Sequence, residues 1–117
     1  MCLRDDKPTI PYPDCWDPLG GSMEKGETPE QCITREIQEE IGITISLPNI
    51  YKVLDLDDRI EHIFWQRADF DIGKIDLQEG QQLQWFSREE IEALPSGKVS
   101  FNFKPIILKF FEEKPFI

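Results

Sequence analysis

Glu36, Glu39 and Glu40 fall within little more than one turn of chain, with Arg35 beside them and the pair Gly20-Gly21 upstream. Glutamates one turn apart on a helix repel by a few tenths of a kcal/mol per pair. A divalent cation would convert that repulsion into binding, because hard cations take carboxylate oxygens and bridge them to phosphates. The competing reading is a solvated helix face, since Glu is a good helix former and exposed acidic helices are common. The acids alone do not decide between the two.

Their placement depends on a helix with clear ends. Thr28 is suited to cap it, Pro29 sits at the first position where a missing N–H costs nothing, and Gln31 completes a capping box. Gly42 suits the left-handed position just past the end. Between them Ile33, Ile37 and Ile41 recur every four residues as an apolar stripe, and Glu36 and Glu40 run alongside it. One edge is built for a core and the next for ions.

The wider spacing is more specific than the acids. Gly21, Glu27, Arg35-Glu36-Ile37, Glu39-Glu40 and Gly42-Ile43 fix nine positions in a window of twenty-three. This pattern resembles the Nudix box at every fixed position, and Gly26-Glu27-Thr28-Pro29-Glu30-Gln31 resembles the MutT-like branch. The box covers about a fifth of the chain.

The resemblance implies hydrolysis of a diphosphate linkage in a nucleoside diphosphate derivative, with Mg2+ as cofactor and Mn2+ as a substitute. It implies that Glu39, Glu40 and the main-chain carbonyl of Gly20 ligate metal. Glu36 would ligate or serve as the base for the attacking water, Arg35 would orient the acids, and Glu27 would sit behind the ligands, holding the loop or a metal-bound water. Glu79, in Leu77-Gln78-Glu79-Gly80-Gln81, resembles the loop acid that supplies a further ligand or base; a plain turn is the alternative there. No covalent intermediate is needed, so the lack of a Ser-His-Asp or Cys-His set is no obstacle. In the metal-free protein, crowding is expected to raise the pKa of at least one clustered carboxylate.

At 117 residues the chain reads as one domain, 1–117. Its net charge of −10 argues against polymeric nucleic acid as a partner and leaves room for a small anionic substrate if cations screen the site, which the resemblance implies is a nucleotide. Cys2, Cys15 and Cys32 lack metal-ligand spacing and suit the reducing cytoplasm. No apolar run reaches membrane length, and no signal-peptide pattern opens the chain.

Along the chain, an extended stretch is expected at Thr44–Pro48, then strands at Tyr51–Asp57, Ile60–Phe70 and Leu83–Phe86. Asp55-Leu56-Asp57-Asp58 lacks the glycine of a calcium loop and reads as a hairpin turn. Ser87 opens a short helix with a capping box, ending near Pro95, and Lys104–Glu113 closes the chain as a helix with Ile106, Ile107 and Phe110 inward. His62 reads as a core or surface histidine, Trp16 as a strand packing residue, and the C-terminal phenylalanines as mostly core. The fold class is α/β, and the resemblance implies an α/β/α sandwich with a mixed β-sheet.

Two departures stand out. The resemblance implies a further strand or two before Leu3-Arg4-Asp5-Asp6. The expectation is therefore either a truncated N-terminus or a core completed by a partner chain, with a homodimer or strand exchange completing the sheet as the leading form. The proline of the usual Leu-Pro-Gly-Gly stands one place early in Pro18-Leu19-Gly20-Gly21, so the turn holding Gly20 follows its own path. Arg4, Asn102 and Phe103 are the candidate substrate contacts, with Asn102 one residue off the place where MutT-like enzymes read an oxidised purine. The proline of ADP-ribose hydrolases and the tyrosine of diadenosine polyphosphate hydrolases are both absent near Asp58–Ile60. A (d)NTP pyrophosphohydrolase, releasing a nucleoside monophosphate and pyrophosphate, is the leading expectation. The alternatives are a nucleotide-sugar hydrolase, a nucleotide-sensing module that does not cleave, and an inactive fragment.

Overall fold

Capping chemistry at the helix ends and short runs of β-forming residues divide the chain into three helices and five strands. The computed structural model describes all of residues 1–117. These form two compact units: Met1–Leu19 with Leu77–Ile117, and Gly20–Asp76.

The first unit is built on a three-stranded sheet in the order β2-β1-β5, with β1 Cys2–Leu3, β2 Trp16–Asp17 and β5 Gln82–Leu83, all antiparallel. A parallel bridge from Trp16 to Val99 gives it the expected mixed character. Trp16 packs as expected, its ring edge-on to Phe86 at 4.8 Å. Helix α2, Arg88–Ala93, has the capping box expected at Ser87 and Glu90. Its last carbonyls are met by Lys104, whose Nζ donates to Glu92 O at 2.9 Å and Leu94 O at 2.5 Å. Helix α3 runs Phe103–Glu113. Cys2, Cys15, Ile91, Val99 and Ser100 are the buried residues of this unit.

The second unit holds helix α1, Pro29–Ile41, and the hairpin of β3 Asn49–Asp55 with β4 Ile60–Trp65. All the cap chemistry of α1 is realised. Thr28 Oγ1 accepts from Gln31 N, Gln31 Oε1 accepts from Thr28 N, and Gly42 takes φ 71. Ile37 and Ile41 are buried with Cys32, while Ile33 is only half-buried. Leu56 N donates to Arg59 O, closing the expected turn.

Several element boundaries differ from expectation. Thr44–Pro48 forms no strand, and β3 begins at Asn49. The strand expected over Ile60–Phe70 ends at Trp65, where pairing with Asn49 ends, so Ala68 and Phe70 share no strand face with Ile60. β5 spans only Gln82–Leu83, and Trp85 is exposed. In α3 Ile106, Ile107 and Phe110 are half-buried rather than core. His62 lies half-buried on β4, opposite Val53.

Candidate active site

In the Gly20–Asp76 unit, α1 and the glycine turn preceding it bring the acidic residues together. Arg35 is the hub. Its Nε and Nη2 grip both oxygens of Glu27, at 2.7 and 2.9 Å, in the fork geometry that matches a carboxylate. Its Nη1 donates to Glu36 at 2.9 Å and Glu39 at 3.2 Å, and Nη2 also donates to Ser22 O at 3.2 Å. Glu24 stands 3.8 Å from Nη1.

These contacts set the electrostatics. Hydrogen bonds from Arg35, helped by the Glu24 N–H, hold the Glu27 carboxyl down at about 2 against an ordinary 4.5. Arg35 is in turn held firmly protonated, chiefly by Glu27. An arginine set among the acids thus lowers the Glu27 carboxyl. Burial, and after it the Glu27 charge, push the Cys32 thiol up, so it stays protonated at neutral pH.

A group whose folded pKa is depressed contributes stability that is complete above its unfolded value and lost as pH falls through its folded value. For Glu27 that window runs from 4.5 down to about 2. Thermal melts of wild type and Glu27→Gln are therefore expected to differ most near neutral pH and to converge as pH drops through that window. A difference that grows with acid would refute the Arg35–Glu27 grip.

Glu36 and Glu40, one turn apart, both meet the glycine turn. Gly20 N donates to Glu40 Oε1 at 3.1 Å, and a Cβ at Gly21 would collide with the Glu36 carboxylate. The Gly20 contact on display is thus its N–H rather than its carbonyl. Glu39 is mostly exposed and reaches inward only to Arg35. No three His, Cys, Asp or Glu side chains converge tightly enough to cage an ion. The donor set nevertheless fits magnesium, which usually takes one or two carboxylates and completes its octahedron with waters and substrate phosphates. Gly21→Ala would push Glu36 aside. It is expected to cost about tenfold in any metal-dependent activity, within the range that small misplacements near a reacting centre produce, with the helical circular dichroism unchanged.

The remaining candidates lie in the other unit. Glu79 precedes Gly80, whose φ of 89 and close approach to Cys2 Sγ and Leu3 O exclude a side chain there. Arg4 is held by Pro11 O at 2.9 Å and Asp17 at 3.2 Å, and its guanidinium lies 5.7 Å from the Phe101 ring centroid. Phe101 stands 6.2 Å from Phe103, so Arg4 and Phe103 converge through it. Asn102 is exposed, takes φ 61 before α3, and makes no side-chain cap bond.

Sequence reasoning missed Asp17 and Ser100 here. Asp17 joins Arg4 to the fully buried hydroxyl of Ser100. A lone Asp and a lone Ser far apart in sequence carry no signal of that pairing.

A family model described as the NUDIX domain matches residues 4–107, most of the chain. The chain belongs to the Nudix family. Among the similar curated proteins is the 8-oxo-dGTP diphosphatase of Escherichia coli K12, 39% identical over 71 residues, covering 58% of this chain and 54% of that protein. The 8-oxo-dGTP diphosphatase of Haemophilus influenzae is 33% identical over 76 residues, covering 63% and 56%. The NAD-capped RNA hydrolase NudC of Pseudomonas aeruginosa is 31% identical over 90 residues, covering 74% of this chain and 32% of that protein.

This Nudix chain thus spans about half the length of the diphosphatases it matches, and less of NudC. A solved structure from a study of MutT of Aliivibrio salmonicida and Vibrio cholerae superposes with a TM-score of 0.57 at 24% identity, covering 81% of this chain and 73% of that one. The fold is the α/β Nudix fold, and the chain is MutT-like.

Proposed function

We propose that this Nudix chain is a magnesium-dependent hydrolase of nucleoside triphosphates, in which water cleaves a phosphoanhydride bond to give a nucleoside monophosphate and pyrophosphate. The observation that carries it is the meeting of Glu36 and Glu40 with the Gly20–Gly21 turn. The diphosphatase names of the MutT-like relatives supply the reaction type. Manganese would serve as a substitute.

In this reading Glu36, Glu39, Glu40 and the Gly20 carbonyl hold the metal, with Glu79 as an added ligand or base. When bound, the metal neutralises phosphate charge and acidifies the attacking water. Glu36 or Glu79 takes the proton of that water. Arg35 aims Glu36 through its hydrogen bond, and Glu27 anchors Arg35 through its two-pronged grip. Arg4, Asn102 and Phe103 contact the nucleotide.

Residues 1–117 would act as one domain, since the family match runs through both compact units. A small nucleotide rather than a polymer suits the net charge of −10. A homodimer that extends the sheet is supported by the two-stranded β3–β4 sheet, whose Ile50, Val53 and Ile60 are half or more exposed. Light scattering that finds only monomer at working concentration would remove that part. Cys2, Cys15 and Cys32, all buried thiols, fit a cytoplasmic location.

The test is a panel of nucleoside triphosphates and nucleotide-sugars with magnesium, scored for pyrophosphate and phosphate. Pyrophosphate from a triphosphate is the expected product. Turnover of nucleotide-sugars alone would replace the substrate class, and tight nucleotide binding without turnover would replace the enzyme by a sensor.

A further inference from the structure

Two loops of the Met1–Leu19 and Leu77–Ile117 unit hold four non-glycine residues at positive φ: Tyr12 at 49, Asp14 at 57, Phe101 at 50 and Asn102 at 61. Such conformations persist only where the surroundings over-determine them, and they gather at ligand clamps. Tyr12 is doubly disfavoured, because the following Pro13 pushes its predecessor toward the extended region at negative φ. The loop is nonetheless pinned from several sides. Arg4 Nε donates to Pro11 O, Asp14 N donates to Asp5 O at 3.2 Å, and the Asp14 carboxylate takes Gln81 at 3.0 Å and Lys98 at 3.4 Å.

What this rigid turn delivers is one ring. Tyr12 packs its ring 4.4 Å from that of Phe101, tilted by 47°, and yet remains 46% exposed. Behind it Phe101 is backed by Arg4, which Asp17 and the buried Ser100 fix in place. No third ring fits between centroids 4.4 Å apart, so a ligand would lie on the outer side of Tyr12. A fixed aromatic face with its pose set in advance loses little entropy on binding and favours flat π-systems. A ring needed only for packing would be expected to turn further inward.

We propose that Tyr12 is a specificity-determining residue whose exposed face stacks on the planar base of the nucleotide, with Phe101 as a positioning residue behind it. The identification of the ring as a nucleobase rests on the nucleotide-hydrolase reading.

The experiment is a titration of the protein with AMP and, separately, with ribose 5-phosphate, followed by proton NMR of the Tyr12 ring. AMP is expected to shift the ring signals and ribose 5-phosphate to leave them in place. Tyr12→Phe should keep the affinity, and Tyr12→Ala should weaken AMP about tenfold, as loss of one base-stacking ring does. Tyr12→Gly adopts φ near 49 without strain, so it should melt no lower than wild type while losing AMP equally. Equal responses to both ligands, no response to AMP, or unchanged AMP affinity in Tyr12→Ala and Tyr12→Gly would overturn the proposal. Turnover separates the two readings. Stacking without hydrolysis sinks the hydrolase and keeps the platform, whereas hydrolysis with unaltered KM in Tyr12→Gly sinks the platform and keeps the hydrolase.

Discussion

Glu40→Gln is expected to lower nucleotide hydrolysis by about 10²- to 10³-fold, with helix α1 intact. Removing one metal-holding carboxylate forfeits several kcal/mol of charge stabilisation where the phosphates react, and each 1.36 kcal/mol is about tenfold in rate. The fold should survive, because a glutamine oxygen can still accept from Gly20 N, which now bonds Glu40 at 3.1 Å. Comparing kcat with a melting curve separates the two effects. A variant that melts like wild type and turns over normally would remove Glu40 from the site.

Arg35→Ala is the second large effect, expected to cost about 10- to 100-fold in activity or metal affinity, the usual range for groups that orient metal ligands. Arg35 is the one cation bonded to Glu27, Glu36 and Glu39 together. Its loss leaves those carboxylates facing one another, so the Glu27 carboxyl should rise from about 2 toward its ordinary 4.5. Arg35→Lys keeps the charge and loses the fork, so it should recover only part of the activity. Carboxyl titration by NMR checks the pKa, and a Glu27 that stays near its wild-type value in Arg35→Ala would contradict the electrostatic role.

The helix carrying these residues was legible in the sequence down to its caps. Thr28, Pro29, Gln31 and Gly42 act through local hydrogen bonds and φ preferences, so their types nearly determine what they do. The same holds for Ser87 and Glu90 at α2. Strand ends were less legible because pairing sets them. Val, Ile and aromatic residues around Ile60–Phe70 suit a strand throughout, but β4 stops where β3 no longer supplies a partner. The hub role of Arg35 followed from the box, although its grip on Glu27, eight residues away, needed the folded turn. The left-handed Tyr12 and Phe101 were invisible, since aromatic residues disfavour that conformation and only the surrounding contacts hold them there.

Manganese titration followed by electron paramagnetic resonance, on wild type and the Glu36→Gln/Glu40→Gln double variant without nucleotide, tests the metal site most directly. Wild type should bind the ion and the double variant should lose that binding, with equal helical circular dichroism. Equal binding by both proteins, or none by wild type, would contradict a metal site on α1 and the Gly20–Gly21 turn.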